Sequence, residues 1–336
     1  MKVLRIKRPG EVELYDEPLP EVGPGESLVR VGAVGLCGSD LHWFAQGGIG
    51  DAHLNRPLVL GHEFGGTVEG GPLDGRRVAV DPAIPCGACP RCKEGNINLC
   101  PTVRFAGHGA TDGGLREYVA WRTELLNPVP DGFTDTTVAL LEPLGVALHA
   151  FDLGHVRFAG TVAIVGCGPI GLMTIMVARA AGVSHITAVE PLAHRREAAA
   201  RCGADEVLSP EQLGGASGND DVVFEVAGTD EAVAESMALV RPGGRVVLVG
   251  IPDQDATSFP ASVARRKGLT ILMSRRMKAA YPRAITLVAR NAIELGPLAT
   301  HFFTLSDGPK IFAVAAQREG LKTVVFPSAN SLAGPP

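Results

Sequence analysis

Between Thr161 and Val249, compact apolar runs alternate with stretches whose apolar residues recur every three or four positions. Thr161–Val165 (TVAIV), His185–Val189, Asp221–Glu225 (DVVFE) and Arg245–Val249 (RVVLV) are short, rich in β-branched residues and unbroken. Such runs predict strands covered on both faces. Ile170–Ala181, Ala193–Cys202 and Asp230–Leu239 carry the helical period. The alternation predicts an α/β domain, a doubly wound parallel sheet with helices on both faces. Up to about Glu142 the pattern differs in kind. Ser27–Val34, Gly66–Val68 and Arg77–Val80 are brief and bounded by Gly and Pro, which predicts an irregular, β-rich region with long loops. After about Ser274 the irregular pattern returns, with a helix expected over Tyr281–Ala289, a last strand over Leu321–Phe326 and a frayed Pro/Gly/Ser tail, Ser328–Pro336.

The 336 residues suit about two domains, and 46% hydrophobic residues supply full cores. Charged residues make up 20% and the net charge is −5, so there is no basic footprint for nucleic acid. No uninterrupted apolar run reaches the roughly 18 residues of a membrane span. The longest, around Ile170–Ala178, is bounded by Arg179 and His185. The opening MKVLRIKRPGEVELYDEP lacks the apolar core of about 7–15 residues that a secretory signal needs. With an odd count of seven cysteines, this points to a reducing, cytoplasmic location.

VGCGPIG places Gly166, Gly168 and Gly171 in G-x-G-x-x-G spacing, with Pro169 and Ile170 between. The motif follows a predicted strand and opens a predicted helix, the setting a dinucleotide fingerprint requires. The first glycine permits the tight turn, the second lets backbone approach a pyrophosphate, and the third lets helix and strand pack closely. The helix N-terminus adds N–H groups and a positive dipole end. Glu190 ends the second strand, 19 residues after Gly171, where an acid accepts the adenosine ribose hydroxyls and repels a 2′-phosphate. NAD is therefore expected over NADP, with Arg195 and Arg196 as the counter-argument.

CGACPRCKEGNINLC brings Cys86, Cys89, Cys92 and Cys100 into one short segment. Four thiolates in a tetrahedron close a zinc shell and leave no position for substrate, so the segment predicts a structural zinc lobe over 86–100. Disulfides and an iron–sulfur centre are the competing readings. Further metal-competent residues stand apart: Cys37 in GLCGSDLHW, His62 and Glu63 in LGHEFGG, and Glu142 in LLEPLG. A Cys, a His and a carboxylate can hold zinc with one position open, but spacing alone does not join them.

GLCGSDLHW, GHEFGG, CGACPRC…C, EPLGVALHA and VGCGPIG stand in one order along the chain. Together they resemble the zinc-containing medium-chain dehydrogenase/reductase family over essentially the whole length. CGSDLHWF, GGIGD, PLVLGHE and LLEPLGVALHA are most similar to its sorbitol (polyol) dehydrogenase branch, with the threonine, glucose and secondary-alcohol dehydrogenase branches also similar. The resemblance implies a GroES-like catalytic domain over 1–145 and 275–336 and a Rossmann NAD-binding domain over 146–274. It implies two zinc ions per chain, NAD, an alcohol or polyol substrate and a homodimer or homotetramer.

By that resemblance Cys37 and His62 bind the catalytic zinc, Glu63 can ligate or exchange, and Glu142 binds the metal or holds its water. Ser39 relays the substrate proton, with His42 or the nicotinamide ribose as candidate next carriers. Arg195 lies near the adenosine, and Trp43 and Phe105 wall the pocket. The chain departs from the branch in carrying Trp43 in place of a common Tyr. It also has Ser274, Arg275, Arg276 and Met277 where an Arg–Tyr pair is common, and a shorter Val68–Arg77 stretch. A non-catalytic zinc and nucleotide sensor on the same fold, and a zinc-independent quinone reductase, are the alternatives. Complete sets of metal-competent residues argue against both.

Overall fold

Thr161–Val165 stands inside a six-stranded, wholly parallel sheet. In spatial order its strands are Glu206–Leu208, His185–Val189, Thr161–Val165, Asp220–Glu225, Val240–Leu248 and Thr270–Met273. The order reverses on either side of Thr161–Val165, which makes the end of that strand the switch point where open α/β sheets bind ligands. The helices are Pro169–Ala180, Ala193–Arg201, Asp230–Leu239 and Ala261–Lys267. Val240–Leu248 begins earlier than the apolar run at Arg245 because the RPGG stretch joins the strand through a register irregularity. Lys267 closes Asp230–Leu239 by donating to the carbonyls of Met237, Ala238 and Val240 at 2.7–2.9 Å. A cation at a helix C-terminus meets orphan carbonyls and the negative dipole end together.

The computed structural model describes residues 1–213 and 218–328, so the expected frayed tail lies almost wholly outside the described residues. The chain divides into two units. One is Pro143–Ala280, which holds the parallel sheet. The other joins Met1–Glu142 to the described residues from Tyr281 onward.

This other unit is built on a seven-stranded sheet. Its long strand Glu26–Gly35 pairs antiparallel with Tyr118–Arg122, Glu63–Glu69 and Lys322–Phe326. Arg77–Val80 and Leu126–Pro128 extend one edge, and Ala299–Thr304 lies parallel to Lys322–Phe326 at the other. Val29, Val31, Val34, Phe64, Val78 and Val325 carry the core on this sheet. Asp135–Gly154 is the one helical stretch among the described residues long and apolar enough to cross a membrane, and it is mostly buried; its first part, through Glu142, belongs to this unit.

Around Asp81 three elements are tied to one turn. Trp121 Nε1 donates to the Asp81 carbonyl at 2.9 Å, Tyr281 Oη to the Val80 carbonyl at 2.6 Å, and Asp81 N to the Leu125 carbonyl at 2.9 Å. Burial pushes the Asp81 carboxyl up from 3.8 to about 6, opposed by the Ala83 N–H. The folded state thus favours the protonated acid. Its contribution is present below pH 3.8, fades as pH rises from there to about 6, and is absent above. Asp81→Asn is neutral throughout, so it should stabilise the protein at pH 7.5 by up to about 3 kcal/mol and by nothing near pH 3.5. Thermal melts of both proteins across that range check the expectation; a gain that is flat with pH would refute it.

Candidate metal centres and nucleotide site

The four clustered cysteines form a closed cage. Their sulfur atoms all lie within 4.8 Å of one another, with Cys89–Cys92 at 3.5 Å and Cys86–Cys92 at 4.0 Å. A tetrahedron with zinc–sulfur bonds of about 2.3 Å has edges of about 3.8 Å. Backbone N–H groups point at the sulfurs: Cys86 N at Cys100 Sγ, Cys89 N at Cys86 Sγ and Cys92 N at Cys89 Sγ, at 3.3–3.5 Å. The Ala88 and Cys89 amides bring the Cys86 thiol down to about 6, while burial and the neighbouring Cys89 push Cys92 up to about 12. Four thiolates this close cannot all ionise without a cation among them. The set fits one zinc and leaves no room for a substrate.

A second group of potential metal ligands is Cys37, His62 and Glu63, whose ligand atoms also lie within 4.8 Å of one another. Cys37 caps the helix Gly38–Gln46, His62 ends the loop before Glu63–Glu69, and Glu63 opens that strand opposite Gly35. One carboxylate fastens these pieces. Asp40, fully buried, accepts from Cys37 N at 2.9 Å and Gly61 N at 3.1 Å, and lies 3.6 Å from His62 Nδ1. Burial alone would raise the Asp40 carboxyl, but His62 and the two amides hold it below its ordinary value. Holding one ring nitrogen of a His fixes the other for a metal. The sequence reading missed Asp40, although a carboxylate three residues after a helix cap is the capping-box pattern.

Glu63 is 1% exposed and pairs with Lys322, whose Nζ donates to Oε1 at 2.6 Å. Oε2 lies at the same 2.6 Å from that nitrogen, so the ammonium faces both carboxylate oxygens. A carboxylate, a thiol and an imidazole with ligand atoms within 4.8 Å of one another are a donor set that fits zinc. Lys322 was also missed; its signal was a lysine opening the apolar run KTVVF. Glu142 is buried, and burial lifts its carboxyl to about 8, with His62 drawing it down and Glu63 pushing it up. It stands outside the group of three whose ligand atoms lie within 4.8 Å of one another.

Ser39 and His42 lie one turn apart on Gly38–Gln46 and are half-buried, which puts them on one helix face. Trp43 is 1% exposed and belongs to the core, its ring edge-on to His108 at 5.2 Å. Phe105 packs its ring 5.2 Å from that of His62, in reach of the metal ligands. Met277 and Tyr281 are buried, Met277 against Gly145.

In the other unit Gly166 follows Thr161–Val165 with φ of 98°, and a Cβ there would press on Ala227 N at 2.9 Å. A Cβ on Gly171 would run into the Gly166 carbonyl, so this helix sits against the turn only with glycine. Gly168 caps Pro169–Ala180, with Pro169 at its first position and Ile170 next. Glu190 is 4% exposed; its Oε2 accepts from Cys167 N at 2.8 Å and its Oε1 from Leu192 N at 3.0 Å. The carboxylate is thus fixed beside the glycine turn, each oxygen keeping a lone pair. Arg196 donates to the carbonyls of Glu190 and Pro191. Arg195 reaches over Gly168, its Nη1 3.7 Å from where a Cβ would stand.

Residues 23–131 match the alcohol dehydrogenase GroES-like domain, and residues 169–290 match the zinc-binding dehydrogenase model. The sorbitol dehydrogenase of Bacillus subtilis is 34% identical, over 98% of both chains. The solved structure of L-idonate 5-dehydrogenase from Escherichia coli superposes with a TM-score of 0.91 at 27% identity, covering 97% of each chain. A structure from Sinorhizobium meliloti described as a zinc-binding dehydrogenase bound to NADP gives 0.89 at 33% identity, over 97% of this chain and 99% of that one. With a closed four-thiolate cage, an open Cys–His–Glu group and a glycine turn beside a fixed acid, this chain belongs to the zinc-binding medium-chain dehydrogenases, a GroES-like domain and a Rossmann domain acting on alcohols and polyols.

Proposed function

We propose that the chain oxidises one secondary hydroxyl of a vicinal diol or polyol, of sorbitol or L-iditol type, to a ketone or ketose, with NAD taking the hydride. The carrying observation is the meeting of Cys37, His62 and Glu63, buried or half-buried, with their ligand atoms within 4.8 Å of one another. Zinc, when bound there, polarises a hydroxyl oxygen and lowers its pKa. Cys37 and His62 would hold the ion, with the Asp40 carboxylate facing the His62 ring. Ser39 takes the hydroxyl proton and His42 carries it onward. Glu63 and Glu142 offer acceptors to a second substrate hydroxyl, which fixes orientation. Phe105, against the His62 ring, forms apolar wall, while Trp43 packs in the core behind it.

Gly166, Gly168 and Gly171 with the helix N-terminus receive the pyrophosphate, and Glu190 the adenosine ribose, beside Arg195. The commitment of Arg196 to two carbonyls supports NAD over NADP. This reading places the chain in a reducing compartment, the cytoplasm, where the four thiols of the lobe stay available to a metal. The functional form in this reading is a homodimer or homotetramer.

Nicotinamide absorbance with sorbitol, xylitol, threonine, glucose, butanediol, ethanol and benzyl alcohol, each with NAD and with NADP, tests the reading. A polyol or vicinal diol with NAD should give the highest kcat/KM, and Ser39→Ala should lower its turnover by roughly 10²–10⁴-fold. Ethanol or benzyl alcohol ahead of every diol and polyol would sink the substrate assignment, and NADP ahead of NAD the cofactor assignment.

A further inference from the structure

A second acid stands at the carboxyl end of the parallel sheet. Glu225 ends its strand level with Val165, on the side of the switch point opposite Glu190, and is 1% exposed. Its Oε1 accepts from Ala227 N at 2.7 Å and Gly228 N at 2.6 Å. Its Oε2 lies 2.9 Å from where a Cβ on Gly250 would stand, and its backbone carbonyl accepts from Val249 N at 2.8 Å and Gly250 N at 3.1 Å. One residue thus gathers the turn after its own strand and the loop after Val240–Leu248. The two meet backbone to backbone. A Cβ on Gly228 would stand 2.5 Å from the Ile251 carbonyl oxygen, and one on Gly250 would run into Gly228 N. The same turn touches the glycine motif: Val226 N donates to the Val165 carbonyl at 2.8 Å, and Gly166 has room for no side chain beside Ala227.

The two acids differ in what they have left to offer. Each Glu190 oxygen accepts one amide and keeps a lone pair. Glu225 Oε1 has both lone pairs taken by amides, and Oε2 is turned to Gly250. Burial lifts the Glu225 carboxyl, and the amides of Gly228, Ala227 and Gly250 draw it back. Glu225 is thus suited to shaping backbone rather than to touching a ligand. A dinucleotide that rests its adenosine ribose on Glu190 crosses the switch point and lays its other half over the strand ends beyond, those of Asp220–Glu225 and Val240–Leu248. Backbone there is already folded and bare of side chains at Gly228 and Gly250, so a ligand arriving on it has little left to order. We infer that Glu225 is a positioning residue for the coenzyme, holding these two loops as one preformed platform for its nicotinamide-side ribose. This assignment rests on the nucleotide reading of Gly166, Gly168, Gly171 and Glu190.

Fragments of the coenzyme test it in the full-length, zinc-loaded protein. Binding of NADH is followed by its fluorescence, and binding of AMP, which carries the adenosine half alone, by calorimetry. Glu225→Gln puts a donating amide where an acceptor oxygen stood, so Ala227, Gly228 and Gly250 lose part of their anchor. It should weaken NADH by about tenfold or more, the scale of a charge-assisted hydrogen bond, and AMP by less than about twofold. Glu225→Asp, one methylene short of the same amides, carries the same expectation where Glu225→Gln does not fold. Glu190→Gln should weaken both ligands together. Hydrogen exchange in the wild-type protein gives an independent reading: the amides of Ala227 and Gly228 should be protected before any coenzyme is added. Unchanged NADH affinity in the Glu225 variants, equal weakening of NADH and AMP, or exchange at 227–228 that slows only when NADH binds overturns the assignment. AMP indifferent to Glu190→Gln overturns the nucleotide reading beneath it, whereas AMP weakened by Glu190→Gln with NADH untouched by the Glu225 variants overturns this assignment alone.

Discussion

Cys37→Ser is expected to remove turnover while leaving the fold in place. Serine is among the best helix caps, and the Asp40 carboxylate still receives the amide of residue 37, so Gly38–Gln46 keeps its start. What goes is the thiolate, and with it one of only three ligand atoms in the open group. Zinc's depression of a bound hydroxyl's pKa is worth up to about 12 kcal/mol, so its loss should lower kcat by on the order of 10⁴-fold or more. Metal content should fall from two ions per chain to one, with little change in circular dichroism or melting temperature. Retention of both ions, or turnover near that of the wild type, would count against Cys37 as a ligand.

Cys92→Ser should do the reverse, striking the fold first. Residues 86–100 leave the body of the protein between two short strands, Ala83–Ile84 and Arg104–Phe105, which pair with each other. Within the lobe the only regular structure is two short helical turns, Pro90–Lys93 and Ile97–Leu99, too little to hold itself. Structural zinc supplies about 10–16 kcal/mol of apparent folding free energy in isolated zinc-finger peptides. Here the paired strands retain part of the order, so the expected loss is several kcal/mol, seen as a large drop in melting temperature. Activity should fall as a consequence, because Phe105, at the foot of the lobe, packs on the His62 ring. An unchanged melt, with or without a strong chelator, would refute the structural role.

The two halves of the fold were unequally legible in the sequence. The strands of the parallel sheet bury both faces, so their apolar runs show the extents directly: Thr161–Val165, His185–Val189 and the helix Asp230–Leu239 are found where the pattern puts them. Glu206–Leu208 and Thr270–Met273 escaped because they are partly exposed edge strands with a weak apolar signal. In the other sheet Glu63–Glu69 was seen only as Gly66–Val68, since Gly65 and Gly66 contribute no side-chain pattern. The metal ligands were legible by residue type and local motif. Asp40 and Lys322 were not, because an acid that binds two distant amides and a lysine that meets a glutamate across three strands acquire their roles only through pairing.

The place of Lys322 also sets a timetable. Glu63 and its counter-ion are 259 residues apart. At about 5–20 residues per second, a ribosome needs roughly 13–50 s to make what lies between them. All four cysteines of the lobe emerge within 15 residues, so that lobe is competent to take a metal while synthesis continues. The parallel-sheet unit, contiguous from Pro143 to Ala280, is also complete before Lys322 exists. Through that interval the nascent chain carries Glu63 without its lysine, and the central strand Glu26–Gly35 without its neighbour Lys322–Phe326. That edge of the sheet can therefore close only after the last described strand has been made.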